Sequence, residues 1–138
     1  EGEGRGRRVR FYHQLILEYF AGRELAWRFR HGQPQTEHWR IPWEKWKFVH
    51  SDWQSLGGPP TTRWEEATVF AAARPEIDFD ALVRAVLAEH PPLAARCVLE
   101  RVAARQPVSE ALRQAVVTRL LDIVERRALT MSKRAGVP

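Results

Sequence analysis

Between Asp78 and His90, apolar residues recur at Phe79, Leu82, Val83, Val86 and Leu87. That i, i+3, i+4, i+7, i+8 spacing puts all five on one face of an α-helix, the clearest amphipathic stripe in the chain. Asp78 stands where an N-cap belongs, and His90-Pro91-Pro92 breaks the pattern. A helix from Thr61 or Thr62 to about Ala73 precedes it, with Glu65 or Glu66 three residues on in capping-box register and Pro75 as its stop. A small-residue-rich helix follows from Leu93 to about Arg105, with Leu93, Ala94, Cys97, Val98 and Val102 inward. Pro107 ends it. Ser109 caps a last helix from Glu110 to about Ala128, whose buried face is expected at Leu112, Val116, Leu120, Leu121 and Val124.

The N-terminal half is less regular. From Val9 to about Arg30 a helical stripe runs through Phe11, Leu15, Tyr19 and Gly22, widened by Ile16, Phe20 and Trp27. Gly32 suits a left-handed C′ position, and Pro34 prevents continuation. Residues 33–63 hold Trp39, Trp43, Trp46, Phe48 and Trp53 at uneven intervals, with a short helix expected at 44–49 and another turn at 52–56. No alternation of period two survives for five residues, so strands are not expected. The pattern divides the chain into a flexible basic arm over 1–8, a helix over 9–30, a Trp-rich connector over 31–61, helical hairpins over 62–129 and a flexible tail over 130–138. Four helices separated by Pro-containing turns make two antiparallel hairpins, and their spacing falls just under the ~40-residue period of HEAT or armadillo units. The expected fold is all-α and solenoid-like.

Composition adds limits rather than a function. The chain has 138 residues, a formal charge of +5, one Cys and six Trp. A lone Cys97 makes no intramolecular disulfide and no Cys-rich metal site, which fits a reducing, cytoplasmic setting. No apolar run reaches the ~20 residues that span a bilayer. The segment EGEGRGRR has neither an apolar signal core nor an initiator Met, as expected of a piece of a longer protein. Residues 1–63 hold eleven basic and seven acidic side chains, against eleven and ten in the remainder. The excess sits in Arg5, Arg7, Arg8 and Arg10, which keeps a nucleic-acid-binding module as a third-ranked reading. Elsewhere the pairs Arg84–Glu89, Arg96–Glu100 and Asp122–Arg126 dress solvated helix faces. The six Trp are read as packing, with a stacking surface for single-stranded nucleic acid as the alternative.

One string is specific. Phe11-Tyr12-His13-Gln14-Leu15-Ile16-Leu17-Glu18-Tyr19-Phe20-Ala21-Gly22 resembles the end of the winged-helix domain in NACHT-type STAND NTPases, whose pattern reads Phe-x-His-x-x-x-Gln-Glu-Tyr-Phe-Ala-Ala. Phe11, His13, Glu18, Tyr19, Phe20 and Ala21 match; Leu17 replaces the Gln and Gly22 the last Ala. Residues 62–66 and 93–97 resemble the HEAT-type repeats that follow the NTPase in many bacterial members. The resemblance implies an upstream ATPase using ADP, ATP and Mg, then this segment, then sensor repeats. It implies that His13 approaches the β-phosphate of ADP in the intact parent and helps to hold the inactive state. The expected role is a non-catalytic regulatory and interaction module, partnered by its own ATPase module and by a further protein or ligand. A freestanding HEAT-like protein-binding scaffold is the alternative.

No Walker A, HExxH or Gly-x-Ser-x-Gly string occurs, nor a Cys/His ligand cluster, so the chain is read as non-enzymatic, without metal and without a cofactor of its own. Glu65-Glu66 and Asp78/Asp80 are read as helix N-terminal carboxylates, His31, His38 and His50 as surface or packing residues, and Cys97 as a buried, inert thiol.

Overall fold

The structure is a computed structural model that describes residues 3–41 and 61–136; the side chains of 3–11, 127, 130, 131 and 134 fall outside that description. Six helices occur among the described residues: α1 (Glu3–Arg30), α2 (Thr36–Trp39), α3 (Glu65–Ala72), α4 (Phe79–Glu89), α5 (Pro91–Ala103) and α6 (Glu110–Arg134). No strand is present among them. The expected helices at 44–49 and 52–56, with Trp43, Trp46, Trp53 and His50, lie outside the described residues.

The core forms around α4. Phe79, Leu82, Val83, Val86 and Leu87 are all buried, as their spacing requires, and Val86 is 0% exposed. They pack with Leu93, Ala94 and Cys97 of α5 and Leu112 and Val116 of α6. α1 packs chiefly on α3, α3 on α4 and α5, and α6 on α5 and α4, so α1 and α6 lie at opposite ends of the packing order. Trp39 of α2 is buried beneath this arrangement, its indole N–H donating to Thr68 Oγ1 at 2.9 Å. Thr68 in turn donates to the Trp64 carbonyl at 2.7 Å, so both buried hydroxyl functions are used.

The caps follow the sequence closely. Asp78 accepts the Ala81 N–H at 3.1 Å, and Ser109 accepts the Leu112 N–H at 3.2 Å while donating to Asp80. Gly32 takes φ +69°, with Gln33 N–H bonded to the Arg28 carbonyl and Gly32 N–H to that of Phe29, a Schellman closure of α1. The same closure ends α5 with Arg105, not glycine, in the left-handed position at φ 56°.

Several expectations need correcting. α5 begins at Pro91, because a proline in the first turn loses no helical hydrogen bond; the prolines open a helix as well as closing the previous one. α1 extends back to Glu3, through Gly4 and Gly6, and α6 on to Arg134, because lengthening an existing helix escapes the cost of nucleating a new one. Ile16, Phe20 and Trp27 do not widen the buried stripe but face outward, Phe20 at 56% exposed, and Tyr19 is partly exposed too. Val102, Leu121 and Val124 are also outward, Leu121 at 56% and Val124 at 61%. α1 packs chiefly on α3, and α6 on α5 and α4, which leaves their other faces bare among the described residues; Val102 lies on the outward face of α5. Arg84 pairs with Asp80 and Arg96 crosses to Glu66 on α3 at 2.7 Å, whereas Asp122–Arg126 forms as expected at 3.2 Å.

Candidate functional site

α1 crosses α3 with almost no side chain between the backbones. A Cβ on Gly22 would stand 2.8 Å from the Ala67 carbonyl oxygen and 2.8 Å from Phe70 Cβ. Only glycine permits that approach. Leu25 and Ala26, one turn on, are buried against the same core, and Tyr19 meets Phe70 edge-on. N-terminal to the crossing the helices leave an open groove of about 460 Å³, lined by His13, Gln14, Leu17, Glu18 and Ala21 of α1 and by Arg63, Trp64 and Ala67. Gln14 donates to Glu18 at 3.0 Å. Trp64 is held by a stacked His38 ring, 3.9 Å between centroids. Arg63 sits at φ 72°, a conformation that non-glycine residues rarely take and that often marks a functional rim.

This groove gathers much of the motif. His13, Glu18 and Ala21 line it; Tyr19 and Phe20 turn elsewhere, and the Phe11 side chain is outside the described residues. His13 is exposed and free to approach another surface. The groove is not a nucleotide cradle in itself. Glu18 offsets Arg63, and no glycine-turned run of backbone N–H groups lines it, so ADP, ATP or Mg does not fit the residues present.

Beside the groove lies a polar junction that sequence reasoning missed. His90 is buried between α4 and α5, and its Nδ1 accepts the Leu93 N–H at 3.3 Å as the N-cap of α5. With Nδ1 accepting, the ring proton resides on Nε2, which lies 3.4 Å from Glu65 Oε1. That same oxygen accepts the Thr62 N–H at 2.6 Å and the Thr62 hydroxyl at 3.2 Å. The Thr62–Glu65 relation expected of a capping box is therefore half made. Thr62 Oγ1 receives the Trp64 N–H instead, because the first helical carbonyl is that of Trp64. The proline pair after His90 was the available signal, since it fixes the residue before it as a cap.

Burial lowers the His90 pKa below 6.5, although the Glu65 charge and hydrogen bond act in the opposite sense. Burial also pushes the Glu65 carboxyl upward, but the N–H groups of Thr62 and Glu65 itself, the Thr62 hydroxyl and His90 outweigh it and hold the pKa low. His38 is likewise lowered, by burial and then by Arg28 against Glu37. An unfolded chain protonates His90 near pH 6.5 while the folded one does not. The histidine contribution to stability is thus complete above 6.5 and lost as pH falls below it, at up to about 1.4 kcal/mol per pH unit for one proton. Thermal melts from pH 8 to 5 are expected to show Tm falling below 6.5. His90→Asn keeps a capping oxygen without titrating and should flatten part of that slope; an unchanged slope would assign it elsewhere.

Cys97 is buried and burial pushes its thiol up to about 12, so it carries no thiolate chemistry at neutral pH. His31 is exposed, stacked on Trp27 and donating to the Trp27 carbonyl at 2.7 Å. Among the described residues no group of three His, Cys, Asp or Glu side chains could hold a metal ion, and no helix is long and apolar enough to cross a membrane. Comparison with known proteins found no matching family model, no matching curated protein and no matching solved structure.

Proposed function

We propose that this chain is a non-catalytic regulatory and interaction module, the helical segment that relays the nucleotide state of a NACHT-type ATPase to a HEAT-like array of sensor repeats. The observation that carries the reading is the Gly22 crossing. The close approach of the Gly22 backbone to the Ala67 carbonyl and Phe70 Cβ seats α1 tightly on α3, and in this account a displacement of α1 carries α3 and the core behind it. The groove side of α1, with His13 exposed on it, faces the cytoplasmic ATPase module in this account, and ADP and Mg stay with that module. Consecutive packing of α3, α4, α5 and α6 supports a HEAT- or armadillo-like stack of antiparallel hairpins. The bare apolar residues at both ends favour a second reading, a freestanding protein-binding scaffold.

The test compares His13→Ala in the 138-residue chain and in the intact parent. An exposed imidazole contributes little to folding, so the isolated chain should melt unchanged and bind no ADP in either form. In the parent, loss of a hydrogen bond to a charged phosphate is worth ~1.5–3 kcal/mol, a roughly tenfold to hundredfold weaker hold on ADP. Calorimetry and ADP release rates give the answer. Tight ADP binding by the short chain, or unaltered release from the substituted parent, overturns the relay.

A further inference from the structure

The groove wall at Arg63 and Trp64 is tied to the core by a chain of polar contacts that ends on one buried imidazole. Thr62 N–H donates to Glu65 Oε1 at 2.6 Å, and Trp64 N–H donates to Thr62 Oγ1 at 3.3 Å. Between them Arg63 sits at φ 72°, a backbone conformation that its neighbours must hold in place. Glu65 Oε1 in turn lies 3.4 Å from His90 Nε2. On the other side of the ring, Nδ1 accepts the Leu93 N–H at 3.3 Å. Pro91 and Pro92 carry no N–H, so Leu93 supplies the first amide of α5. That amide is shared between the ring and the His90 carbonyl, 3.1 Å away. One imidazole thus closes the α4–α5 corner with one nitrogen and backs the start of α3 with the other.

The two nitrogens ask opposite things of a proton. Nδ1 accepts only while the ring is neutral. Protonation puts an N–H there, facing the Leu93 N–H, and the cap becomes a repulsion. It also strengthens the contact of Nε2 with the Glu65 carboxylate. The ring is 2% exposed, so water reaches a charged imidazole only if the corner opens. The surrounding charges do not remove that demand. On α2, Arg40 is paired with Glu89 of α4 at 3.4 Å, and on α5, Arg96 is paired with Glu66 of α3 at 2.7 Å. The buried side chains of α6 are the apolar Leu112 and Val116. Glu65 is the charge that acts on the ring, and burial outweighs it. We infer that His90 is an acid-sensitive latch. Neutral, it holds the α4–α5 corner and the groove wall together; protonated, it releases both while the rest of the core stays folded. The latch acts on the wall whatever occupies the groove, and so does not rest on the nucleotide relay.

Hydrogen exchange of single amides in the 138-residue chain, followed by NMR from pH 8 to 5 and corrected for intrinsic rates, tests the latch. Leu93 and Thr62 should be at least about tenfold less protected than Val86 at pH 6, the sign of a local opening rather than of global unfolding. The open ring takes up a proton near pH 6.5 and the closed one does not. Protection at both amides should therefore fall together below 6.5, by up to about tenfold per pH unit for one proton. His90→Asn keeps an acceptor for the Leu93 N–H and does not titrate, so the fall should vanish. Glu65→Gln keeps an acceptor for Thr62 but loses the charge that favours the protonated ring, and should carry the fall to lower pH. It answers the question even if the His90 variant fails to fold. His38, near Arg28 and Glu37, stacks on Trp64 outside the corner, and His38→Gln should leave the fall at Leu93 unchanged. Leu93 and Thr62 as well protected as Val86 at every pH, or a fall that persists in His90→Asn, overturns the latch. None of these outcomes bears on ADP retention in the parent, so the relay stands or falls separately.

Discussion

Val86→Asp is expected to abolish the folded state. Val86 is 0% exposed and lies at the middle of the α4 stripe, in the same buried cluster as Leu82, Leu93 and Leu112. A carboxylate placed there meets only hydrocarbon. Burying an unpaired charge costs several kcal/mol, and protonating it instead still leaves a polar group without a partner. The whole stability of a domain this size is about 5–15 kcal/mol, so the loss removes most or all of it. Circular dichroism should show a largely unfolded chain, or a melting transition lowered by tens of degrees. Ala88→Asp is the matched control: it sits on the exposed side of the same helix and should cost no more than about 1 kcal/mol. Equal melting of the two variants would mean that the α4 stripe faces solvent.

That stripe was legible because its signal is local. Five apolar residues at helical spacing, an Asp before them and prolines after them specify one helix and its inward face without reference to any neighbour. The caps at Asp78 and Ser109 and the glycine at 32 were legible for the same reason. The ends of the molecule were not. Ile16, Phe20, Leu121 and Val124 sit on apolar stripes as good as any, and periodicity cannot say whether a stripe has a neighbour. Whether it is covered depends on packing order, a tertiary fact. His90 escaped notice for a different reason. Its capping role needs a neutral ring with Nδ1 free, which burial secures, and burial is not written in the residues beside it.

The candidate site divides in the same way. The string from Phe11 to Gly22 pointed to α1 as the informative helix, and the groove does gather His13, Glu18 and Ala21. Arg63 and Trp64, which with Ala67 form its other wall, fall in the string over 62–66 that resembles a HEAT-type repeat, but nothing in it pointed to a groove, because their place there depends on where α1 crosses α3. In the NACHT-type pattern that the string resembles, the last position is Ala, and the glycine here reads in sequence as a mere departure. In the structure it is the reason the crossing exists.

Substitution at Gly22 should therefore detach α1 from a core that stays folded. Ala in place of Gly favours helix by roughly 0.8–1 kcal/mol, so propensity alone predicts a stabilised α1. The contacts predict the reverse. The new methyl would be 2.8 Å from a carbonyl oxygen and 2.8 Å from a Cβ, and both belong to the α3 framework rather than to a side chain that can swing aside. The helices must separate by several tenths of an ångström, and overpacking of that kind costs about 1–3 kcal/mol. The steric cost exceeds the propensity gain, so Gly22→Ala should destabilise the chain modestly and Gly22→Leu strongly. Because α1 packs chiefly on α3, the Leu variant should lose hydrogen-exchange protection along α1 while α4 and the buried part of α5 keep theirs. Gly32→Ala serves as contrast: its φ of +69° makes Ala strained, but nothing lies within 4 Å, so only the end of α1 should fray. If the proposed relay holds, Gly22→Leu in a NACHT-type parent should leave nucleotide binding intact and disconnect it from the repeats. A Gly22→Ala chain more stable than the original would show that the crossing can yield, and α1 could then no longer act as a rigid relay.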